Sequence, residues 1–224
     1  SRDTTILDGN GTITNLRVVT VASTYNVSFT DLTIRNGKTT NGGGGIYTPG
    51  GRLNLTRVAI SGNTAGEGGC LSSVAITNIT ESLISGNTAT TDSGGGIYHT
   101  ISLTMTDSTV SGNTNQGVNA RGGGIETRGP LTLSRVAIIG NTSNTYGGGI
   151  NTGVSANATL TNVTISGNTA KYGAGYANYQ GTSFIKNSTI TNNHLTSGGA
   201  GGLQKDYGDI SIQNTIIAGN DGSN

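Results

Sequence analysis

A short phrase, Ile-Ser-Gly-Asn-Thr-Ala or a close variant, returns about every 26 residues along this 224-residue chain. It stands at Ile60 to Ala65, Ile84 to Ala89, Val110 to Thr114, Ile138 to Thr142 and Ile165 to Ala170, and more loosely at Ile190 to Asn193 and Ile217 to Asn220. A period held from one end to the other restricts the chain to a stacked repeat. One unit of that size cannot bury an apolar face by itself and must cover it with its neighbours.

Aligned on Ile34, Ile60, Ile84, Val110, Ile138, Ile165, Ile190 and Ile217, the units are 24 to 28 residues long. Five residues earlier stands an apolar residue every time: Phe29, Leu55, Ile79, Met105, Leu133, Leu160, Ile185 and Ile212. Three residues later, in every unit after the first, stands Asn63, Asn87, Asn113, Asn141, Asn168, Asn193 or Asn220. A third signature is a glycine cluster closing on an apolar residue, as in Gly43-Gly44-Gly45-Ile46, Gly94 to Ile97, Gly122 to Ile125 and Gly147 to Ile150, with weaker copies ending at Leu71, Tyr176 and Leu203. Apolar residues alternate with Thr, Ser or Asn in each segment, plainly so in Leu53-Asn54-Leu55-Thr56 and Leu131-Thr132-Leu133-Ser134. That alternation belongs to strands with one face in and one out. It predicts an all-β solenoid of about eight coils of about 26 residues, three short strands per coil, forming one domain over residues 1–224.

Other chain types fit poorly. No dozen residues keep a helical apolar stripe free of Gly and β-branched residues. The 39 glycines are clustered rather than placed at every third residue, and only 2 prolines are present, which excludes collagen. The low apolar content of 32% points toward disorder, but the strict apolar columns argue against it.

The recurrent Asn suits a strand end, where it tolerates left-handed backbone angles and where its amide donates and accepts along a stack. Seven stacked copies, Asn63 to Asn220, predict a structural ladder. The glycine triplets suit a corner with close backbone approach or positive φ. No intact phosphate-binding glycine motif accompanies them.

Gly-Gly-Gly-Ile paired once per coil with Ile-x-x-Asn resembles the repeat of the polymorphic outer membrane proteins and related large bacterial surface proteins. Thr4 to Gly11, Leu32 to Gly37 and Asn214 to Asn220 also resemble surface proteins grouped by a choice-of-anchor C-terminus. The resemblance implies a right-handed parallel β-helix and an extracellular or bacterial cell-surface setting. The chain departs from the pattern at Gly68-Gly69-Cys70-Leu71 and at Gly173-Ala174-Gly175-Tyr176.

The remaining residues set limits on function. A formal net charge of +1 with no basic stripe gives nucleic-acid binding no support, and no apolar run is long enough for a membrane span. The lone Cys70 excludes an intrachain disulfide and is expected as a buried filler. No amphipathic helix covers the strand-like Thr5-Ile6-Leu7 or the last ladder position, Asn220. The expectation is a segment of a longer surface protein or a subunit that stacks end to end.

Polysaccharide lyases and hydrolases built on β-helices need clustered carboxylates, and here the acidic residues are scattered. Three share one column, which runs Asp31, Arg57, Glu81, Asp107, Arg135, Asn162, Asn187, Asn214 and is expected as a surface charge ladder. Lys205 to Asp209 is expected as a polar turn without a partner on the preceding coil. His99 and His194 fall at different repeat positions, and only short loops are available to wall a cleft. No catalytic, metal-binding or cofactor-binding residue is therefore assigned.

Two binding readings stay open. Outward Thr rows such as Thr104/Thr106 and Thr132/Ser134 could order water or ice, and outward Tyr47 and Tyr98 could touch glycans, although the Tyr column is interrupted by Ser72, Glu126, Asn151, Ala177 and Gln204. The functional expectation is a non-catalytic structural or adhesive rod, with a carbohydrate-active β-helix, a polysaccharide lyase or hydrolase, as the alternative. Its expected partners are copies of itself, a surface glycan or a protein ligand.

Overall fold

The computed structural model describes residues 4–11, 15–22 and 25–222. Among them every regular element is a strand, and the strands of successive coils pair in parallel. Two-fold alternation decides this arrangement: each strand is too short to stand alone, and only pairing with its equivalents one coil before and after satisfies its backbone.

In chain order a coil contributes first to sheet A, whose eight strands run from Asn26–Thr30 to Asp209–Gln213. It then turns into sheet B, nine strands from Ile6–Asp8 to Ile216–Ala218. After the Asn position come two-residue corner strands, six of them from Thr64–Ala65 to His194–Leu195, and last sheet C, eight strands from Val19–Thr20 to Leu203–Lys205. Three main strands per coil are thus joined by a fourth short one at the corner. Eight coils at a rung spacing of about 4.8 Å make a rod roughly 40 Å long.

The registers align the apolar columns. Leu7, Ile34, Ile60, Ile84, Val110, Ile138, Ile165, Ile190 and Ile217 pair in sequence along sheet B. Phe29, Leu55, Ile79, Met105, Leu133, Leu160, Ile185 and Ile212 do so along sheet A. The glycine clusters deliver Ile46, Leu71, Ile97, Ile125, Ile150 and Tyr176 to sheet C. These inward side chains, buried along the middle of the rod, form one continuous core with Cys70 among them.

Two pairs of polar residues that enter the core are matched within their coil. Ser73 Oγ lies 2.8 Å from Thr77 Oγ1, and the Tyr176 hydroxyl lies 2.6 Å from Ser183 Oγ. Each pair replaces a Leu-type contact by a hydrogen bond between two facing walls, which removes most of the cost of burying a hydroxyl.

The glycine triplet divides its tasks. Gly122 takes a left-handed φ of 64°, while a Cβ on Gly123 would collide with the carbonyl of Gly148 on the next coil. The first glycine turns the chain, and the second lets two coils approach.

Candidate ligand-contact face and the asparagine corner

All seven predicted ladder residues lie on one line at the corner after sheet B. Asn63, Asn87, Asn113, Asn141, Asn168 and Asn193 have no solvent exposure. From Asn63 onward each Nδ2 donates to Oδ1 of the Asn one coil further on, at 2.8 to 3.0 Å, ending on Asn220. The backbone N–H of the same residue donates to that same oxygen at 2.9 to 3.0 Å. From Asn87 onward Nδ2 also donates to the carbonyl of the sheet B residue one coil back, at 2.9 to 3.1 Å. Gly37 stands at the head of the line, its N–H donating to Asn63 Oδ1. Every donor and acceptor of an interior ladder amide is used.

The backbone at this corner corrects the sequence reasoning. The ladder Asn does not carry the left-handed angle; the residue before it does. Gly62, Gly86, Gly112, Gly140, Gly167 and Gly219 have φ of 60 to 65°, and Asn36 and Asn192 fill the same position. The turn is made one residue early, which frees the Asn side chain to point inward.

A second left-handed column was visible in the sequence only as a run of charges. Asp31, Arg57, Glu81, Asp107, Arg135, Asn162, Asn187 and Asn214 all have φ of 47 to 56°. They sit at the turn from sheet A to sheet B rather than on a strand, so the column is set by a backbone requirement that polar side chains tolerate. Two bidentate pairs decorate it. Arg57 grips Asp31 at 2.7 and 2.8 Å, and Arg135 grips Asp107 at 2.6 and 2.7 Å. These guanidinium contacts lower the pKa of both exposed carboxylates.

The outward rows of sheet A carry Thr104, Thr132 and Thr159 in register, then break at Phe184. Part of this surface spends its hydrogen bonds on itself: Asn78 Nδ2 donates to Asn54 Oδ1 at 2.9 Å, and Thr106 Oγ1 to Thr80 Oγ1 at 3.2 Å.

The outer face of sheet C is different. Its floor is the paired column Tyr47, Ser72, Tyr98, Glu126, Asn151, Ala177, Gln204. One flank is the bridged column Ser93, Arg121, Tyr146, Tyr172, one residue before each glycine cluster. The other flank carries Gly153 and Tyr179, within their strands, and Arg128, one residue past the end of its own. Tyr146 stacks on Tyr172 with ring centres 5.1 Å apart, and Tyr179 meets Tyr207 edge-on at 5.5 Å. Arg17 lies over Tyr47, Arg128 over Tyr98 and Lys171 over Tyr172. Six of the eight tyrosines, Tyr47, Tyr98, Tyr146, Tyr172, Tyr179 and Tyr207, therefore gather along one side. The interrupted Tyr column of the sequence is completed by tyrosines from other repeat positions.

The turn Lys205 to Asp209 belongs to this side and does have partners on the preceding coil. The N–H groups of Asp206, Tyr207 and Asp209 donate to the carbonyls of Asn178, Tyr179 and Gly181.

Two depressions open on this face. One of about 440 Å³ is lined by Arg17, Asn41, Gly42, Tyr47, Glu67 and Ser72. The other, a pit of about 60 Å³, is lined by Arg121, Tyr146, Asn151, Gly153 and Tyr179. Beside the pit Glu126 has no solvent exposure although its strand position points outward. Its Oε2 accepts from Asn151 Nδ2 at 2.7 Å, and its Oε1 has no protein partner. Burial pushes the carboxyl up to about 8, against the lowering effect of Asn151, Arg121 and Arg128. Glu126 is therefore mostly a neutral acid at pH 7, able to donate as well as accept.

A second buried titratable group lies on the inner side of the same sheet. Both ring nitrogens of His99 lack partners, and burial lowers its pKa to about 3, so it is a neutral core side chain. At the position where Thr77 and Ser183 meet their partners, the His99 coil has Leu103, which offers no hydrogen bond. His194 lies elsewhere, exposed and 3.3 Å from Asp221. Among the described residues no three His, Cys, Asp or Glu side chains come together as a metal site, and no helix is long and apolar enough to cross a membrane.

With this geometry in hand the repeat can be placed. Residues 81–100 match the Chlamydia polymorphic membrane protein repeat. The matched stretch holds one copy of each signature, Ile84 to Asn87 and Gly94 to Ile97. It is a full passage from the sheet A to B turn, past the ladder, to the end of sheet C. No curated protein and no solved structure matches the chain.

Proposed function

We propose that this chain is an adhesive β-helical rod of a bacterial cell-surface or secreted protein, and that it adheres through the outer face of sheet C. One observation carries the reading: this face gathers six tyrosines, three cations lying over them and a buried half-satisfied carboxyl, while the outer rows of sheet A are mostly Thr, Ser and Asn. Tyrosine offers a large amphipathic surface at small entropic cost, which suits contact with polar polymers. The matched repeat supports the surface setting. The Asn ladder and apolar columns supply the mechanics, because every coil is bonded identically to the next and the face is held as a rigid strip.

The test is attachment of the purified chain to immobilised glycans and to cultured cells. Binding should fall strongly in a Tyr146→Ser, Tyr179→Ser double variant and stay unchanged in Thr104→Ser on sheet A. Binding lost equally in both, or absent from the parent, would sink the adhesive reading.

A catalytic reading has one observation in its favour, the carboxyl of Glu126 held protonated near neutral pH beside a pit. Release of new reducing ends or unsaturated products from a polysaccharide panel, abolished by Glu126→Gln, would establish it. Stacking of copies is a separate proposal, supported by the parallel pairing of equivalent strands from coil to coil, a geometry that a further copy can continue. Molar mass by light scattering across a concentration series tests it.

A further inference from the structure

The pit on sheet C sits inside a small grid fixed by the strand register. One coil supplies Arg121, Glu126 and Arg128, the next Tyr146, Asn151 and Gly153, and the third Tyr172, Ala177 and Tyr179. Side chains grow smaller toward the middle of the upper two coils and leave a hollow between tyrosine walls. Gly153 is the opening in one wall: a Cβ there would lie 3.5 Å from Glu126 Oε1 and 3.4 Å from Arg128 Cγ. Arg121 and Arg128 are exposed and take part in no ion pair among the described residues.

A buried carboxyl oxygen with no protein partner normally indicates a missing ligand or water. Here the carboxyl that carries the unpaired oxygen feels the charges of Arg121 and Arg128, neither of which has an acidic partner among the described residues, and it lies beside a hollow walled by aromatic rings. A neutral sugar would use the rings and the Asn151 amide but leave both arginines without a counter-charge. A bare anion would use the arginines and leave the rings idle. A sugar bearing a carboxylate uses both.

We infer that this face binds a uronic acid residue of an acidic polysaccharide, its ring resting on Tyr146 and Tyr179 at the mouth of the pit and its carboxylate held by Arg121 and Arg128. The inference rests on the adhesive reading of the same face and names its ligand. Bidentate guanidinium contacts suit a carboxylate, while the small hollow admits one polar substituent rather than a whole ring. A polymer lying along the rod meets the floor column again at every coil, about every 4.8 Å, and reaches the larger depression at Arg17 and Tyr47.

The protonation state of Glu126 adds a pH signature. The charged and titratable groups around it are Arg121 and Arg128 on its own coil, Tyr98 on the coil before with Glu67 beyond it, and Tyr146 and Tyr179 on the coils after. Ionisation of Glu126 above about pH 8 then places a negative charge beneath the bound carboxylate and weakens the complex.

Calorimetric titration of the full chain with short oligogalacturonates, their methyl esters and sulfated oligosaccharides tests the inference. Expected are binding of the free acid, at least roughly tenfold weaker binding of the ester, and a comparable loss in an Arg121→Ala, Arg128→Ala variant, equivalent to about 1.4 kcal/mol or more. In Glu126→Gln, which preserves an acceptor for Asn151, the weakening of binding above pH 8 should disappear. Equal affinity for acid and ester, stronger binding of the sulfated chain, or an unchanged arginine variant overturns it. Should the uronates fail while cells or other glycans still bind in a manner that needs Tyr146 and Tyr179, this inference falls and the adhesive reading stands.

Discussion

The Asn corner and the outer face of sheet C face different problems within the same coils. At the corner one residue type repeats, and six consecutive amides make nearly identical bonds. On the face no position keeps one residue type, and its tyrosines come from three columns of the repeat. The corner is a solution that each coil copies from the last. The face exists only where several coils differ from each other in a coordinated way. Repetition therefore marks what holds this rod together, and departure from repetition marks where it has something to contact.

The largest disturbance is expected from the shared core. Leu133 is fully buried between Met105 and Leu160, and Leu133→Asp places a carboxylate where no partner exists. Loss of the cooperative unfolding transition and of the strand signal in circular dichroism is the expected result. Because corner and face hang on the same core, both should be lost together.

Asn141→Ala tests the corner alone. It removes the acceptor of both Asn113 donors and the donor to the Val110 carbonyl. Denaturant unfolding should show a loss of about 1 to 3 kcal/mol, and binding by the folded protein should be unchanged. A loss of binding at full stability would mean that the two regions are coupled in a way that the geometry does not contain.

Two of the buried titratable groups, Glu126 and His99, give a pH profile that sharpens the contrast. Glu126, raised from 4.5 to about 8, contributes stability that is complete below pH 4.5 and lost as pH rises through 8. His99, lowered from 6.5 to about 3, contributes stability that is complete above pH 6.5 and lost as pH falls through 3. Between pH 4.5 and 6.5 the opposite slopes cancel, so these two groups predict a plateau there and a fall of roughly 2 kcal/mol on each side, toward pH 8 and pH 3. Glu126→Gln should abolish the alkaline fall and leave the acid one. A parent whose stability is flat from pH 6.5 to 9 would contradict the burial of Glu126. The smallest effect is expected at the turn from sheet A to sheet B, where Arg135→Ala removes an exposed pair with Asp107. Its melting temperature should match the parent within error.

By itself the sequence determined the period, the three apolar columns, the parallel stacking and the positions of the seven ladder Asn residues. The reason is that each of these is a one-coil property repeated: a residue such as Leu133 or Asn141 meets its own equivalents above and below, so a register along the chain is already a map of contacts. Which residue bears the left-handed turn was less legible, because Gly140 and Asn141 are adjacent and either chemistry could make it. The sheet C face could not be read that way. Arg121, Tyr146 and Tyr179 stand at different offsets in their repeats, and they meet only because the turns before and after sheet C bring two further columns beside its floor. Nothing local to Glu126 signals its burial either, since an outward strand position is normally wet. Only its burial in the stack of coils removes the water and raises its pKa, against the lowering effect of the Asn151 hydrogen bond. Contacts between equivalent positions are written in the period, and contacts between unlike positions are decided by how the coil bends.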